Sequence, residues 1–345
     1  MVNPEPTPRP RRGDLTIATV ARLAGVSVPT VSKVINGRTG VAAATRRRIE
    51  AILHEKGYRR PQTIGPVPIL EVAFRALESH LAVEILRGVE RVARERELAV
   101  GFTEIQGRGN PGRHWMEQVL ARRPTGVIAV YFDFDTQQQA RLATSSIPLV
   151  AVDPTGEPLH DTPSVGATNW SGGLAATRHL LGLGHRRIGM INGPTEFLCA
   201  RARLDGYRAA LHGAAVPFSP GLVRRGRFCF EDGLQQGVAL LELSPRPTAI
   251  FAANDLQALG VYAAAHRLGL RIPQDLSVVG FDDVEFGQWV TPPLTTIRQP
   301  LAEMGAVAAE IVVALAAGRQ PAQTRIELAT TLVERQSTAP PSGLD

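Results

Sequence analysis

The stretch Thr16-Ile-Ala-Thr-Val-Ala-Arg-Leu-Ala-Gly-Val-Ser-Val-Pro-Thr-Val-Ser-Lys-Val-Ile-Asn36 decides how the N-terminal part of this chain folds. Thr16 is a good N-cap for a helix that carries Ile17, Val20, Ala21 and Ala24 on one face. Gly25 then fits a tight turn, where a positive φ costs glycine little. Ser27 is the next N-cap, placed to accept from the Thr30 N–H, and Pro29 falls in the first turn, where its missing donor does no harm. The second helix buries Val31, Val34 and Ile35. A third, over 43–56, buries Ile49, Ile52 and Leu53 and ends at Gly57. Two helices joined by a glycine turn and closed by a third make a helix-turn-helix unit.

The charge around this unit is lopsided. Residues 1–65 hold 12 Arg or Lys against 4 Asp or Glu, whereas the rest of the chain holds 26 against 28. A head of +8 on a body of −2 is the electrostatic footprint of a nucleic-acid-binding domain. A merely soluble basic tail would lack the caps and apolar periodicity described above.

The quoted run, with Thr45-Arg46 and Gly57-Tyr58, resembles the DNA-binding head of the lactose-repressor (LacI/GalR) family. Val28, Pro29 and Lys33 occupy the start and the next turn of the second helix, which faces base edges in such heads. Lys33 can donate to guanine O6 and N7, and Val28 and Pro29 offer apolar contact to thymine methyls. Thr16, Thr30, Ser32, Asn36, Thr45, Arg46 and Tyr58 carry hydroxyl, amide or cationic groups suited to phosphates. For Thr16, capping and phosphate contact are both expected; Arg47 and Arg48 read as a solvated face. The family usually follows its head with a hinge helix that wedges into the minor groove. Here Pro61, Gly65, Pro66 and Pro68 occupy that stretch, so an extended linker over 61–68 is expected instead.

From Ile69 onward short apolar runs alternate with helical stretches. Strands are expected at 70–74, 99–103, 126–131, 149–152, 164–166, 187–191, 249–252 and 277–280, and helices at 81–96, 172–182, 203–211, 231–243 and 255–268. This alternation predicts parallel sheets with helices on both faces. Leu183-Gly-His-Arg-Arg-Ile188, Asn192-Gly-Pro194, Arg203-Leu-Asp-Gly-Tyr207, Ala253-Asn-Asp255, Gly280-Phe-Asp-Asp283 and Pro293-Leu-Thr-Thr-Ile297 resemble, in order, the effector domain of the same family. The resemblance implies an α/β body of two Rossmann-like lobes, of the periplasmic-binding-protein type I, with three crossovers. The expected division is a tail at 1–13, a head at 14–60, a linker at 61–68, a body at 69–337 and a tail at 338–345. Within the body, 69–163 with 298–323 would form one lobe and 164–297 with 324–337 the other.

The resemblance places Asp153, Phe197, Cys199, Arg203, Phe228, Asn254 and Asp282 around a small effector. These lie at or just after strand carboxyl ends, where open α/β sheets bind ligands. Arg203 and Asp282 suit vicinal hydroxyls, Asn254 both donates and accepts, and Phe228 gives an apolar face, as a polyol requires. Asp282 is also readable as structural and Phe197 as packing, whereas Arg203 is hard to explain otherwise, unless it serves only an inter-lobe ion pair. Phe197 also stands where some relatives use a polar contact. Arg75, Glu78, Ser79 and His80 lie either at the mouth of the cleft or on a solvated loop.

Other function classes have little support. Cys199 and Cys229 are too few and too far apart for a disulfide framework or metal motif. His179 and His185 lack partners at ligand spacing, and no nucleophile–base pair stands out. Gly107-Arg-Gly-Asn-Pro-Gly112 fits a dinucleotide fingerprint, but Pro111 interrupts its turn and no acidic residue ends the next strand. No catalytic residue, metal or cofactor is expected. The Pro- and Arg-rich first 13 residues carry no apolar signal segment, which argues against a transported sugar-binding protein. What is expected is a cytoplasmic homodimeric regulator that binds a palindromic operator in double-stranded DNA. A sugar-like effector would control it, and no membrane would be involved.

Overall fold

The computed structural model describes residues 17–35, 39–55, 68–75, 80–105, 112–132, 134–156 and 162–342. The chain divides into two compact units, residues 1–66 and 67–345.

The first unit contains α1 (Ile17–Ala24), α2 (Val28–Ile35) and α3 (Ala43–Glu55). Val20, Ala21, Ala24, Val31, Val34 and Ile49 form its core, with Ile17, Ile35, Ile52 and Leu53 packed around them. Gly25 adopts φ +62°, the turn geometry its position demands. One detail differs from expectation. The Ser27 hydroxyl lies 2.9 Å from that of Thr30, not on its N–H, which instead donates to the Ser27 carbonyl at 3.0 Å. A proline at the second helical position leaves the first turn closed by backbone bonds.

The second unit is built from two six-stranded sheets. Its strands are β1 (Ile69–Phe74), β2 (Ala99–Glu104), β3 (Gly126–Val130), β4 (Leu149–Val152), β5 (Ser164–Ala167), β6 (Ile188–Asn192), β7 (Val223–Arg225), β8 (Ala249–Ala252), β9 (Ser277–Asp282), β10 (Thr295–Arg298), β11 (Arg325–Leu328) and β12 (Thr331–Val333). The sheet orders are β11-β5-β4-β3-β1-β2 and β12-β10-β9-β8-β6-β7. All pairings are parallel except β10 with β12.

Alternate residues of these strands feed different cores. In the first sheet Val72, Phe74, Ile128 and Val130 pack on one side with α4 (His80–Glu95) and α11 (Leu301–Ala316). Ala73, Val127 and Ala129 face the other side, against α5 (Arg113–Arg122) and α6 (Thr136–Thr144). In the second sheet Ile188, Met190, Phe251 and Phe281 meet α7 (Asn169–Gly182) and α8 (Leu198–Gly213). Ile191, Ile250 and Val278 meet α9 (Phe230–Leu241) and α10 (Asp255–Arg267). Strands covered on both faces must be apolar throughout, which is why the sequence shows continuous apolar runs and not alternation.

The division into lobes departs from the expected one at three places. Ser164–Ala167 and Arg325–Leu328 were expected in the second lobe, yet β5 pairs with β4 and β11 with β5, both in the first sheet. Val165 and Ala167 point into the first core, which holds the strand there. Arg298, expected in the first lobe, ends β10 of the second sheet. The chain therefore changes sheet at 167–169, 298–301 and 328–331.

Candidate functional site

Most of the effector candidates gather at the carboxyl ends of strands in the body. Asp153 follows β4, Asp282 ends β9, and Asn254 follows β8 as the N-cap of α10. Phe197 is the N-cap of α8, which then carries Cys199 and Arg203. The backbone marks this region as specialised. Tyr131 (φ +61°), Asp153 (+48°), Phe228 (+63°), Asp282 (+112°) and Asp283 (+59°) all adopt conformations that non-glycine residues avoid.

Arg203 is the centre of the arrangement and is only 3% exposed. Its Nε donates to Asn169 Oδ1 at 2.8 Å and one terminal nitrogen to the Ala253 carbonyl at 2.6 Å. The other terminal nitrogen stands 3.8 Å from Asp282 Oδ1. The guanidinium lies over the Phe281 ring at 3.7 Å and reaches Phe228 at 5.8 Å. Helices α7 and α8 come close enough to set this up because Gly173 meets the Arg203 backbone, where any Cβ would collide.

Asp153 and Asp282 are both buried, and burial pushes both carboxyls above the ordinary range. For Asp282 the result is about 6, with Arg203 opposing the rise. Asn169 Nδ2 reaches Asp153 Oδ1 at 3.5 Å, and Gln299 Nε2 donates to Asp282 Oδ1 at 2.6 Å. The Cys199 thiol is raised to about 12 by burial and by Asp153, so it stays neutral and is no nucleophile. Phe197 and Phe228 meet edge to face at 6.0 Å. The Phe228 ring occupies the space beside Gly193 that a side chain would fill.

One effector candidate, Asn254, has structural work. Asn254 Oδ1 caps α10 through the Gln257 N–H at 2.9 Å, and its Nδ2 donates to the Phe228 carbonyl at 2.9 Å. It therefore shapes the wall that presents Phe228. Asp255, beside it in the same motif, accepts from Thr296 Oγ1 at 2.6 Å and the Val284 N–H at 2.9 Å, which fixes the turn after Asp282. His185, in the motif beginning at Leu183, bridges Thr248 and the Ala339 carbonyl.

Three residues of the site escaped the sequence reading. Asn169 joins Arg203 to Asp153, and the Gln299 Oε1 is buried without a hydrogen-bond partner. The Tyr131 hydroxyl is likewise buried and unpartnered, and burial together with Asp153 and Asp282 raises it. The positive φ of Tyr131 is a signal, but it belongs to the fold and not to the sequence.

In the head, Val28 is 46% exposed, and Pro29 and Lys33 share its exposed face of α2. Thr30, Ser32, Thr45 and Arg46 are half-buried. Thr16, Asn36 and Tyr58 lie outside the described residues, as do Glu78, Ser79 and the stretch 61–67. The side chain of His80 is also outside them.

Known proteins match both units. Residues 16–61 match the bacterial regulatory proteins of the lacI family, and residues 177–338 match the periplasmic binding protein-like domain. The chain is 34% identical over 331 residues to the ribose operon repressor of Escherichia coli (strain K12), covering 93% of this chain and 99% of that one. The chain belongs to the lacI family. It is thus a DNA-binding transcription regulator controlled by a small-molecule effector. The HTH-type transcriptional repressor PurR of Pasteurella multocida (strain Pm70) is 30% identical over 328 residues, covering 93% of this lacI-family chain and 98% of its own. A Lac repressor dimer bound to operator and the anti-inducer ONPF superposes with a TM-score of 0.72 at 30% identity, covering 95% and 100% of the two chains. The regulator CelR with cellobiose superposes at 0.68 and 30% identity, covering 93% and 99%. Among the described residues no cluster of His, Cys, Asp or Glu is placed to hold a metal, and no helix is long and apolar enough to cross a membrane.

Proposed function

We propose that this chain is a cytoplasmic, homodimeric repressor of carbohydrate genes, and that its effector is a polyol held between the lobes by Arg203, Asp282 and Asp153. Tyr131 and Gln299 would complete the polar set. The observation that carries this reading is the 3.8 Å gap between Arg203 and Asp282, flanked by Phe228 and by two buried unpartnered polar atoms. A sugar hydroxyl can accept from the guanidinium and donate to the carboxylate at once, and the aromatic face suits its C–H surface. Relatives described with cellobiose and with ribose point to the same ligand class.

In this mechanism the effector biases the angle between the lobes, because it touches both sheets near the three crossovers. In a two-fold symmetric dimer, that angle sets the separation of the two heads on a palindromic operator. Lys33, Val28 and Pro29 would read base edges, and Thr16, Thr30, Ser32, Asn36, Thr45, Arg46 and Tyr58 would hold phosphates. The test is a gel shift on genomic operator fragments with full-length protein and a panel of sugars. One sugar should change operator affinity in the wild type and have no effect on Asp282→Asn. A panel sugar that acts equally on both proteins would remove Asp282 from the site.

A further inference from the structure

Arg75 is the one cation at the cleft that the polyol reading leaves without a task. It follows the carboxyl end of β1 in the first sheet, and its N–H donates to the Val130 carbonyl at 3.2 Å. Its guanidinium sits over the Phe197 ring at 4.8 Å, and no carboxylate among the described residues pairs with it. Arg203, by contrast, has Asp282 and Asp153 in its field. The two arginines flank the Phe197–Phe228 pair, so one end of the site is rich in carboxylates, while at the other no carboxylate among the described residues pairs with Arg75.

The surroundings of Arg75 favour an anion. Phe197, whose ring Arg75 covers, is the N-cap of the 16-residue helix α8, so the positive end of that helix lies beside the same ring, with its first N–H, that of Leu198, donating to the Thr155 carbonyl at 3.0 Å. A guanidinium held flat by an aromatic ring presents its planar donor fork to phosphate or carboxylate. A neutral sugar would leave that charge unused.

We infer that the effector is a sugar carrying an anionic group, a phosphate ester or a carboxylate, bound with its hydroxyls at Arg203 and Asp282 and its anion at Arg75. This rests on the effector-site reading above and names the chemical class that the site selects. Arg75 would then set specificity, and contact both the ligand from the first lobe and Phe197 from the second.

The experiment measures binding to the full-length protein by calorimetry or thermal shift. The probes are ribose, ribose 5-phosphate and ribonate, and glucose, glucose 6-phosphate and gluconate. In the wild type, one anionic sugar should bind at least about tenfold more tightly than its neutral parent. Arg75→Gln should bring that ratio close to one, and Arg75→Lys should keep part of it. The phosphate and acid arms identify which anion is read. A ratio near one in the wild type, or a preference that survives in Arg75→Gln, overturns the inference. If neutral sugars bind and Asp282→Asn abolishes that binding, the effector site stands while the anion assignment falls. If no probe of either series binds, both fall together.

Discussion

Arg203 and Asp282 stand 3.8 Å apart, close enough to attract and too far to share a good hydrogen bond. The arginine spends its other nitrogens on Asn169 and the Ala253 carbonyl, while Gln299 donates to the same aspartate oxygen, Oδ1, that faces Arg203. Both members of the pair are thus held by other partners, and the proposed hydroxyl would bridge the gap between them. Arg203 therefore has a structural role beside its proposed functional one. Arg203→Ala would leave Asp153 and Asp282 buried without their cation and Asn169 without its donor. We expect a loss of about 3–5 kcal/mol of stability, as for other buried pairs broken on one side. Asp282→Asn keeps the shape and removes a charge that burial already disfavours, so it should cost far less while abolishing the effector response. Urea midpoints of the two variants, measured beside sugar titrations, check both statements; equal midpoints would mean that Arg203 carries no structural load.

The same carboxylate makes two pH dependences run in opposite directions. Asp282 titrates near 6 in the folded protein, above the ordinary carboxylate range of about 4. A raised acid favours the folded state while protonated, so its contribution is complete below about pH 4 and is lost as pH rises through about 6. Asp153 moves in the same direction. Effector binding should instead strengthen over pH 5 to 7, because the ionised Asp282 is the better acceptor for a sugar hydroxyl. In Asp282→Asn both slopes should flatten. An effector affinity that is level across this range in the wild type would exclude Asp282 as an acceptor.

Tyr131 offers a test in which stability and function should part. Its hydroxyl is buried without a partner, a situation that costs about 1–3 kcal/mol. Tyr131→Phe removes the cost and keeps the ring, so the free protein should melt at the same temperature or higher. Effector affinity should nevertheless fall, by roughly the 0.5–1.5 kcal/mol of one neutral hydrogen bond. A variant that is less stable and binds normally would show that the hydroxyl serves the fold alone.

The parts of this protein that were legible in sequence are those set by local rules. Gly25 marked the head's turn because only glycine takes φ +62° cheaply, and the apolar faces of α1 and α2 could be read from their spacing. Strand runs such as Ala249–Ala252 were visible because both faces of each sheet are covered. Lobe membership was harder, since Ser164–Ala167 belongs to the first sheet through pairings with β4 and β11, the latter some 160 residues away along the chain. No local pattern encodes such a pairing. Tyr131 escaped because a tyrosine ending an apolar run looks like strand, and Gln299 because nothing nearby in sequence announces Asp282. Asn254 was placed among the ligand contacts on motif alone, and only the structure shows its side chain occupied as a helix cap.

The head yields the last prediction, because the residues proposed for its two kinds of DNA contact differ in burial. Lys33 projects from the exposed face of α2 beside Val28 and Pro29, with the apolar Val31 and Val34 anchoring the opposite face. Lys33 is the proposed base reader, so Lys33→Ala should cost roughly 1–3 kcal/mol of discrimination per half-site and little on random sequence. Arg46 is half-buried in the first turns of α3, and its proposed partner is a phosphate, which carries no sequence information. Arg46→Gln should therefore weaken operator and random DNA by similar factors and lower the slope of log affinity against log salt by about one contact per head. Fluorescence anisotropy on both duplexes at several salt concentrations separates the two behaviours, and circular dichroism on each variant confirms that α3 remains helical. Equal losses on operator and random DNA for Lys33→Ala would falsify its assignment to a base, and leave the head reading its operator through apolar contacts and shape.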